Sequence, residues 1–219
     1  MRINADLSQR AVAMTEEIEW VDSPLPGVQR RMLDRDGEEV ARATSIVRYA
    51  PDSHFSAHSH GGGEEFLVLE GVFSDEHGDY GPGSYVRNPP GSSHTPYSKE
   101  GCTILVKLRQ MKDEDQETVR IDTANTPLQD TDNPGIKRLV LFEGHGERVT
   151  MVRATPGCQV PMHGHPGGEE VFVLEGALAD EHGVYPKGTW VRMPAGSTHA
   201  PWSEDGALLW VKAGHLPTP

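Results

Sequence analysis

His58–Ser98, HSHGGGEEFLVLEGVFSDEHGDYGPGSYVRNPPGSSHTPYS, is the decisive stretch, because the chain carries it twice. At an offset of 105 and without a gap, residues 163–203 read HGHPGGEEVFVLEGALADEHGVYPKGTWVRMPAGSTHAPWS, and 24 of the 41 paired positions are identical. The likeness thins upstream, where Val47-Arg48 and Pro51 match Val152-Arg153 and Pro156, and it continues downstream to Lys107 and Lys212. A period of this length is too long for a solenoid unit and has the size of a whole small domain. The expected division is an N-terminal extension at 1–19, a first barrel at 20–112, a linker at 113–124 and a second barrel at 125–219. The extension, MRINADLSQRAVAMTEEIE, reads as having no counterpart in the second copy. An edge strand for either barrel, or for a second subunit, is one role open to it.

Within each copy the strands are short and punctuated. Thr44–Ala50 and Val149–Ala154 run up to Pro51 and Pro156. Glu65–Leu69 and Glu170–Leu174 are apolar on consecutive residues, as strands covered on both faces are. Asp75-Glu76-His77-Gly78 and Asp180-Glu181-His182-Gly183 mark hairpin turns. Ser84–Arg87 and Thr189–Arg192 precede Pro/Gly turns, and Cys102–Leu108 and Ala207–Lys212 close the copies. Short strands about ten residues apart, with 24 Gly and 17 Pro in 219 residues, predict an all-β barrel or jelly roll.

Composition narrows the partners. The formal charge of −13 comes without a basic stripe, so no nucleic-acid surface is expected. No apolar run approaches the roughly 18 residues of a membrane helix, and MRINADLSQR lacks the apolar core of a secretory signal. Cys102 and Cys158 are the only cysteines and form no CxxC, which fits a reducing, cytoplasmic setting.

The repeat preserves a set of metal-ligand residues. Side chains at i and i+2 of a strand share a face, so His58 and His60 point one way, as do His163 and His165. A Gly-rich turn then brings Glu64, or Glu169, to the start of the next strand. About thirty residues on, His94, or His199, follows a Pro-x-Gly turn. Three imidazoles and one carboxylate converging inside a barrel suit Zn²⁺, Fe²⁺, Mn²⁺ or Ni²⁺ rather than Ca²⁺ or Mg²⁺. Two divalent transition-metal ions per chain are expected, with Zn²⁺ first. A lone histidine pair is weak support for a site; the same quartet at identical spacing in two copies is strong.

The spacings His58-x-His60-x3-Glu64-x6-Gly71 and Gly83-x5-Pro89-x-Gly91-x2-His94 resemble the two motifs of the cupin superfamily. His163-x-His165-x3-Glu169-x6-Gly176 and Gly188-x5-Pro194-x-Gly196-x2-His199 repeat them. Ser98 and Ser203 stand where the second motif closes on Asn. The resemblance implies two tandem double-stranded β-helix (jelly-roll) barrels, a bicupin. ARATSIVRYAP, GGEEFLVLEGVFSDEHGDY and YVRNPPGSSHTP further resemble the cupin domain of the zinc-binding anti-sigma factor ChrR, whose metal ligands fall on His58, His60, Glu64 and His94. They are also similar to cupins described as dihydroxyacetophenone dioxygenase-like. The sigma-binding arm of ChrR is a helical domain with its own His/Cys site, and this chain has no His before His54 and no Cys before Cys102. The resemblance therefore implies a sensing or regulatory metal-binding bicupin without that arm. The alternative is an iron- or manganese-dependent dioxygenase acting on a dicarbonyl or hydroxyketone, with the small molecule meeting the metal.

Other repeated residues have plainer readings. His77 and His182 read as turn residues. Arg48/Arg153 and Arg87/Arg192 could bind an anionic ligand or bridge the barrels through Glu65/Glu170 and Glu70/Glu175, and structural pairing is the plainer reading. His54 shares parity with His58, whereas its twin position holds Gln159, so the two pockets are expected to differ. Tyr97 and Trp202 follow the last ligand and are candidates for the mouths. Apolar strands covered on both faces suggest a homodimer.

Overall fold

The computed structural model describes residues 1–218, and it is almost entirely antiparallel β-structure. The chain forms two compact units. One comprises Met1–Ala5 with Ile18–Thr126, the other Asp6–Glu17 with the chain from Pro127 onward.

In the first unit the large sheet runs Arg2–Ile3, Val28–Gly37, Ala41–Tyr49, Cys102–Leu108, Glu64–Gly71, Ser84–Asn88, Val119–Asp122. A smaller sheet of Gly78–Tyr80, Phe73–Asp75, Tyr97–Ser98 and Ser53–His54 supplies a second wall, and His58–Ser59 pairs with Ser93–His94. The core between them holds Phe66, Val68, Phe73, Val86 and Ile104. Phe66 and Val68 alternate with Leu67, which is also buried, so both faces of that strand are covered as its unbroken apolar run predicts.

The second unit repeats the plan with Gln129–Asp130, Ile136–Gly144, Glu147–Ala154, Ala207–Ala213, Glu169–Asp180, Thr189–Met193 and Ala11–Met14 in its large sheet. His163–His165 and Ser197–His199 pair with each other in this unit. The two long hairpin strands Val28–Gly37 and Ile136–Gly144 carry no period-2 signal clear enough to have been read from sequence.

The N-terminal stretch does have a counterpart, contrary to the sequence reading. Ala11–Met14 pairs with Thr189–Met193, and Val119–Asp122 pairs with the equivalent strand Ser84–Asn88. Both strands show the same buried-exposed-intermediate-exposed pattern. Each ends on a threonine, Thr15 or Thr123, whose N–H donates to the carbonyl of Gly188 or Gly83. Each unit thus takes this strand from the segment that precedes the other repeat. AVAM and VRID share no residue, because an edge strand of this kind constrains only the one side chain that turns inward. The stretch 113–124, read as a linker, accordingly contains a paired strand and also Asp115, a buried partner of Arg87.

Gly71 and Gly176, the glycines that close the first motif, have φ of 70° and 67°. A Cβ at either would stand 2.0 Å from the carbonyl oxygen of Gly101 or Gly206. These positions therefore need glycine for space as well as for backbone conformation.

Candidate metal centres

The first cluster is built by two short ladders. His94 lies opposite His58, and Glu64 opens its strand opposite Asn88. The three imidazole centroids are 5.3 Å (His58–His60), 4.9 Å (His58–His94) and 4.6 Å (His60–His94) apart. One ligand atom from each of His58, His60, Glu64 and His94 falls within 4.8 Å of the others. Glu64 Oε2 is 3.4 Å from His60 Nε2 and 3.6 Å from His94 Nε2. In the second cluster the rings of His163, His165 and His199 stand 4.8–4.9 Å apart, and their ligand atoms also lie within 4.8 Å of one another. Glu169 lies against two of them, 3.4 Å from His165 Nδ1 and 3.7 Å from His199 Nε2.

Partners behind the rings turn most of them the same way. His94 Nδ1 donates to Asp75 Oδ2 at 3.2 Å, and His199 Nδ1 to Asp180 Oδ2 at 3.3 Å. Those carboxylates are themselves fixed. Oδ1 of Asp75 accepts from the N–H of His77 and the hydroxyl of Tyr80, and Oδ1 of Asp180 from His182 N–H and the Tyr185 hydroxyl. His58 and His163 donate Nδ1–H to the carbonyls of Ser56 and Pro161. His60 donates to Ser92 Oγ at 3.0 Å, whose own hydroxyl is spent on the Pro89 carbonyl. With Nδ1 occupied, Nε2 is the free, unprotonated atom facing the cluster. The second unit lacks one of these contacts: Ser197 Oγ has no hydrogen bond, and His165 turns Nδ1 toward Glu169.

The residues fit a divalent transition metal. Nε2 of His60, His94 and His199 face the clusters, are buried and make no hydrogen bond, a costly state for a polar atom unless it is a ligand. Burial, then the neighbouring imidazoles, pushes His60 and His165 down to about 4, so both rings are neutral near pH 7. Burial likewise lowers His94 and His199, against the pull of Asp75 and Asp180. Glu64 is pushed up to about 7 by burial and held back by the Asn88 side chain, which donates to its Oε2 at 3.2 Å. Burial raises Glu169 to about 8, and Met193, at the position matching Asn88, offers no donor to hold it back. Two buried rings held neutral, a third ring beside them and a carboxylate whose ionised form a cation would favour make a coherent ligand set.

The units differ in what fills the space beside the cluster. In the first, Tyr49 and Phe55 are edge-on at 5.2 Å, Phe66 and Phe73 lie 4.8 Å apart, and Phe73 is 5.9 Å from the His94 ring. At the matching positions the second has Ala154, Val160, Val171 and Leu178. There a cavity of about 930 Å³ opens, with His163, His165, Glu169 and His199 in its wall and Trp202 among its lining residues.

The remaining candidates fall into structural places. His54 is exposed and stacks on Tyr97 at 5.8 Å, away from the four ligand atoms of the first cluster. His77 and His182 sit in their turns with backbone N–H bonded to Asp75 and Asp180. Arg87 is fully buried against Glu65 and Asp115, Arg153 pairs with Glu175 at 2.6 Å, and Arg48 bonds Gln29 rather than Glu70. Arg192 donates to the carbonyls of Asp6 and Gln9. Sequence reading missed Asp75 and Asp180 as supports. Their repetition at offset 105 was the available signal, and it was absorbed into the turn.

Comparison with known proteins agrees with this architecture. The sequence model of the ChrR cupin-like domain matches twice, at residues 8–112 and 116–217. Each match begins near the strand that serves the other unit. Among curated proteins none matches the chain by sequence. Solved structures with the same fold include a proposed dioxygenase from Nostoc punctiforme, 18% identical, covering 95% of this chain and 84% of that one, with a TM-score of 0.79. Protein Ylba from E. coli is 17% identical, with 100% and 96% coverage and a TM-score of 0.73. The bacterial pirin YhhW from Escherichia coli, in complex with nickel(II), is 9% identical, with 96% and 100% coverage and a TM-score of 0.72. At these identities the likeness is one of fold. Two matches spanning nearly the whole chain place this protein in the ChrR cupin-like family as a bicupin.

Proposed function

We propose that this bicupin is a metal-dependent enzyme of the dioxygenase type, acting on a small dicarbonyl or hydroxyketone in its second barrel. Each barrel holds one divalent transition ion, the first through His58, His60, Glu64 and His94, the second through His163, His165, Glu169 and His199. The carrying observation is the cavity of about 930 Å³ beside the second quartet. A purely structural metal site needs no such space, whereas small-molecule sites commonly enclose roughly 300–1,000 Å³. When bound, the ion supplies Lewis acidity and about two coordination positions left open by four protein ligands. The protein's own residues do the rest. Asp180 and the Pro161 carbonyl hold the rings of His199 and His163, and Val152, Val160, Val171 and Leu178 give the apolar part of the wall against which a small molecule packs. Oxygen uptake by iron-loaded protein, measured over a panel of β-diketones and hydroxyketones, tests the reading; it fails if no compound raises uptake above the protein-free rate.

The family match favours a second reading, a regulatory metal-binding bicupin of the ChrR type. Under it, protein purified without added metal carries Zn²⁺ in both barrels and consumes no oxygen with any of those compounds.

A further inference from the structure

We propose that the two barrels divide their work, and that only the second admits an organic ligand: a small molecule with an apolar body and a carboxylate, the carboxylate paired with Arg138. The proposal shares its cavity with the enzyme reading above and deepens it.

The first observation is substitution within a duplicated frame. Tyr49, Phe55, Phe66 and Phe73 are replaced by Ala154, Val160, Val171 and Leu178 at the same places in the ladders. Every change is from a ring to a smaller aliphatic group. In the first barrel those rings pack edge-on and tilted against one another and reach His94. Removing them while keeping the strands, the turns and the three histidines leaves the room beside the second cluster, and that room is the cavity. Random drift in a core replaces lost volume with gained volume nearby, because voids are costly. Asn88 is replaced by the larger Met193 beside the cluster, but Met193 does not line the cavity, and four losses of a ring around one ligand cluster are the pattern of a cavity with an occupant.

The second observation is a cation in the wall. Arg138 lies on Ile136–Gly144 opposite Val152, and Arg30 holds the equivalent place opposite Val47. Arg30 is paired with Glu39 at 3.1 Å. Arg138 lines the cavity and is half-buried, and among the described residues its guanidinium makes no hydrogen bond or ion pair. The carboxylates lining the same cavity are Asp130, Asp132 and Glu169, and none comes within ion-pair distance of it; Asp130 is paired with Lys137 at 3.1 Å. Arg148 also lines the cavity but is paired with Glu143; the unpaired guanidinium of Arg138 is suited to a planar carboxylate, which it can hold through two N–H groups. The apolar lining of Val152, Val171, Leu178 and Leu209 then takes the body of the molecule.

The experiment uses the full chain, its metal content measured beforehand, with 4-phenylbutyrate, octanoate and benzoate as probes and 4-phenylbutyramide as the neutral control. Binding is read by calorimetry and by Trp202 fluorescence, since Trp202 lines the cavity. The expected result is one carboxylate site per chain. Leu178→Phe, or Ala154→Tyr should the first fail to fold, restores a first-barrel residue and abolishes binding without changing the metal content. Arg138→Gln weakens the carboxylates by about ten-fold or more and leaves the amide unaffected. Phe73→Leu in the first barrel leaves the second-barrel affinity unchanged. Two equivalents per chain, unaltered binding in Leu178→Phe, equal losses of acid and amide in Arg138→Gln, or no binding of any probe to the unmodified protein would each overturn the proposal. The enzyme reading fails separately: carboxylate binding with this mutational pattern, but no oxygen uptake by iron-loaded protein, leaves the division of work standing without the oxygenase.

Discussion

Asp75 and His94 meet at 3.2 Å, carboxylate Oδ2 to imidazole Nδ1, and Asp180 and His199 repeat the contact at 3.3 Å. The aspartates come from the hairpin turns and the histidines from strands nineteen residues on, so the contact ties the turn to the ligand cluster. An acceptor on Nδ1 fixes the tautomer that offers Nε2, and it raises the basicity of the ring.

Asp75→Asn and Asp180→Asn should therefore weaken the metal in the respective barrel by about 10- to 100-fold while leaving all four ligands in place. Competition against a chromophoric chelator measures this. Unchanged affinity in both variants would show that the aspartates serve the turn alone.

His60→Ala and His165→Ala should each remove about one metal equivalent per chain, because each deletes a buried ligand from a set of four. Elemental analysis of the purified variants checks it. A variant that retains the full count shows that its barrel holds no ion.

The pH dependence of metal-free protein has a definite sign. Glu64 and Glu169 have folded values of about 7 and about 8, above their unfolded value, so folding favours their protonated form. That contribution is complete below the unfolded carboxylate value and is lost as pH rises toward the folded values. The buried histidines act in the opposite sense, since their lowered values destabilise the fold as pH falls below about 6.5. Above that pH they are neutral in both states and contribute no slope. Between pH 6.5 and 8 the Tm of metal-free protein should fall with rising pH, and Glu169→Gln should flatten that fall. Bound metal should reverse it, because the ligands must be deprotonated. Calorimetry across the window, with and without metal, decides the matter.

Gly71→Ala and Gly91→Ala separate two kinds of glycine requirement. Both have positive φ, 70° and 82°. At Gly91 an added Cβ meets nothing within 4 Å, whereas at Gly71 it meets the Gly101 carbonyl at 2.0 Å. Gly91→Ala should cost about 1–2 kcal/mol of backbone strain, and Gly71→Ala should exceed that because a strand must also move. Equal losses in urea unfolding would contradict the steric account.

Much of this protein was legible in one dimension. The duplication, the all-β class and the two histidine clusters could be read because metal chemistry admits few residue types, and a strand places them at fixed parity. The spacing from His58 to Glu64 to His94 survives copying only as a unit, so its recurrence at His163, Glu169 and His199 carried the reading. The hairpin strands Val28–Gly37 and Ile136–Gly144 were not legible, since irregular burial along them masks the alternation.

The tertiary structure decided three further things. Ala11–Met14 and Val119–Asp122 are equivalent although they share no residue, because an edge position asks only for one inward side chain and a following threonine. Asp75 and Asp180 serve the ligands from a turn, a relation that exists only once the hairpin has folded back over His94 and His199. The exchange of Tyr49, Phe55, Phe66 and Phe73 for Ala154, Val160, Val171 and Leu178 is four unrelated substitutions along the chain. It becomes one change, the opening of a cavity, only when the strands bring those positions around a common interior, since volume belongs to a place in space and not to a position in sequence.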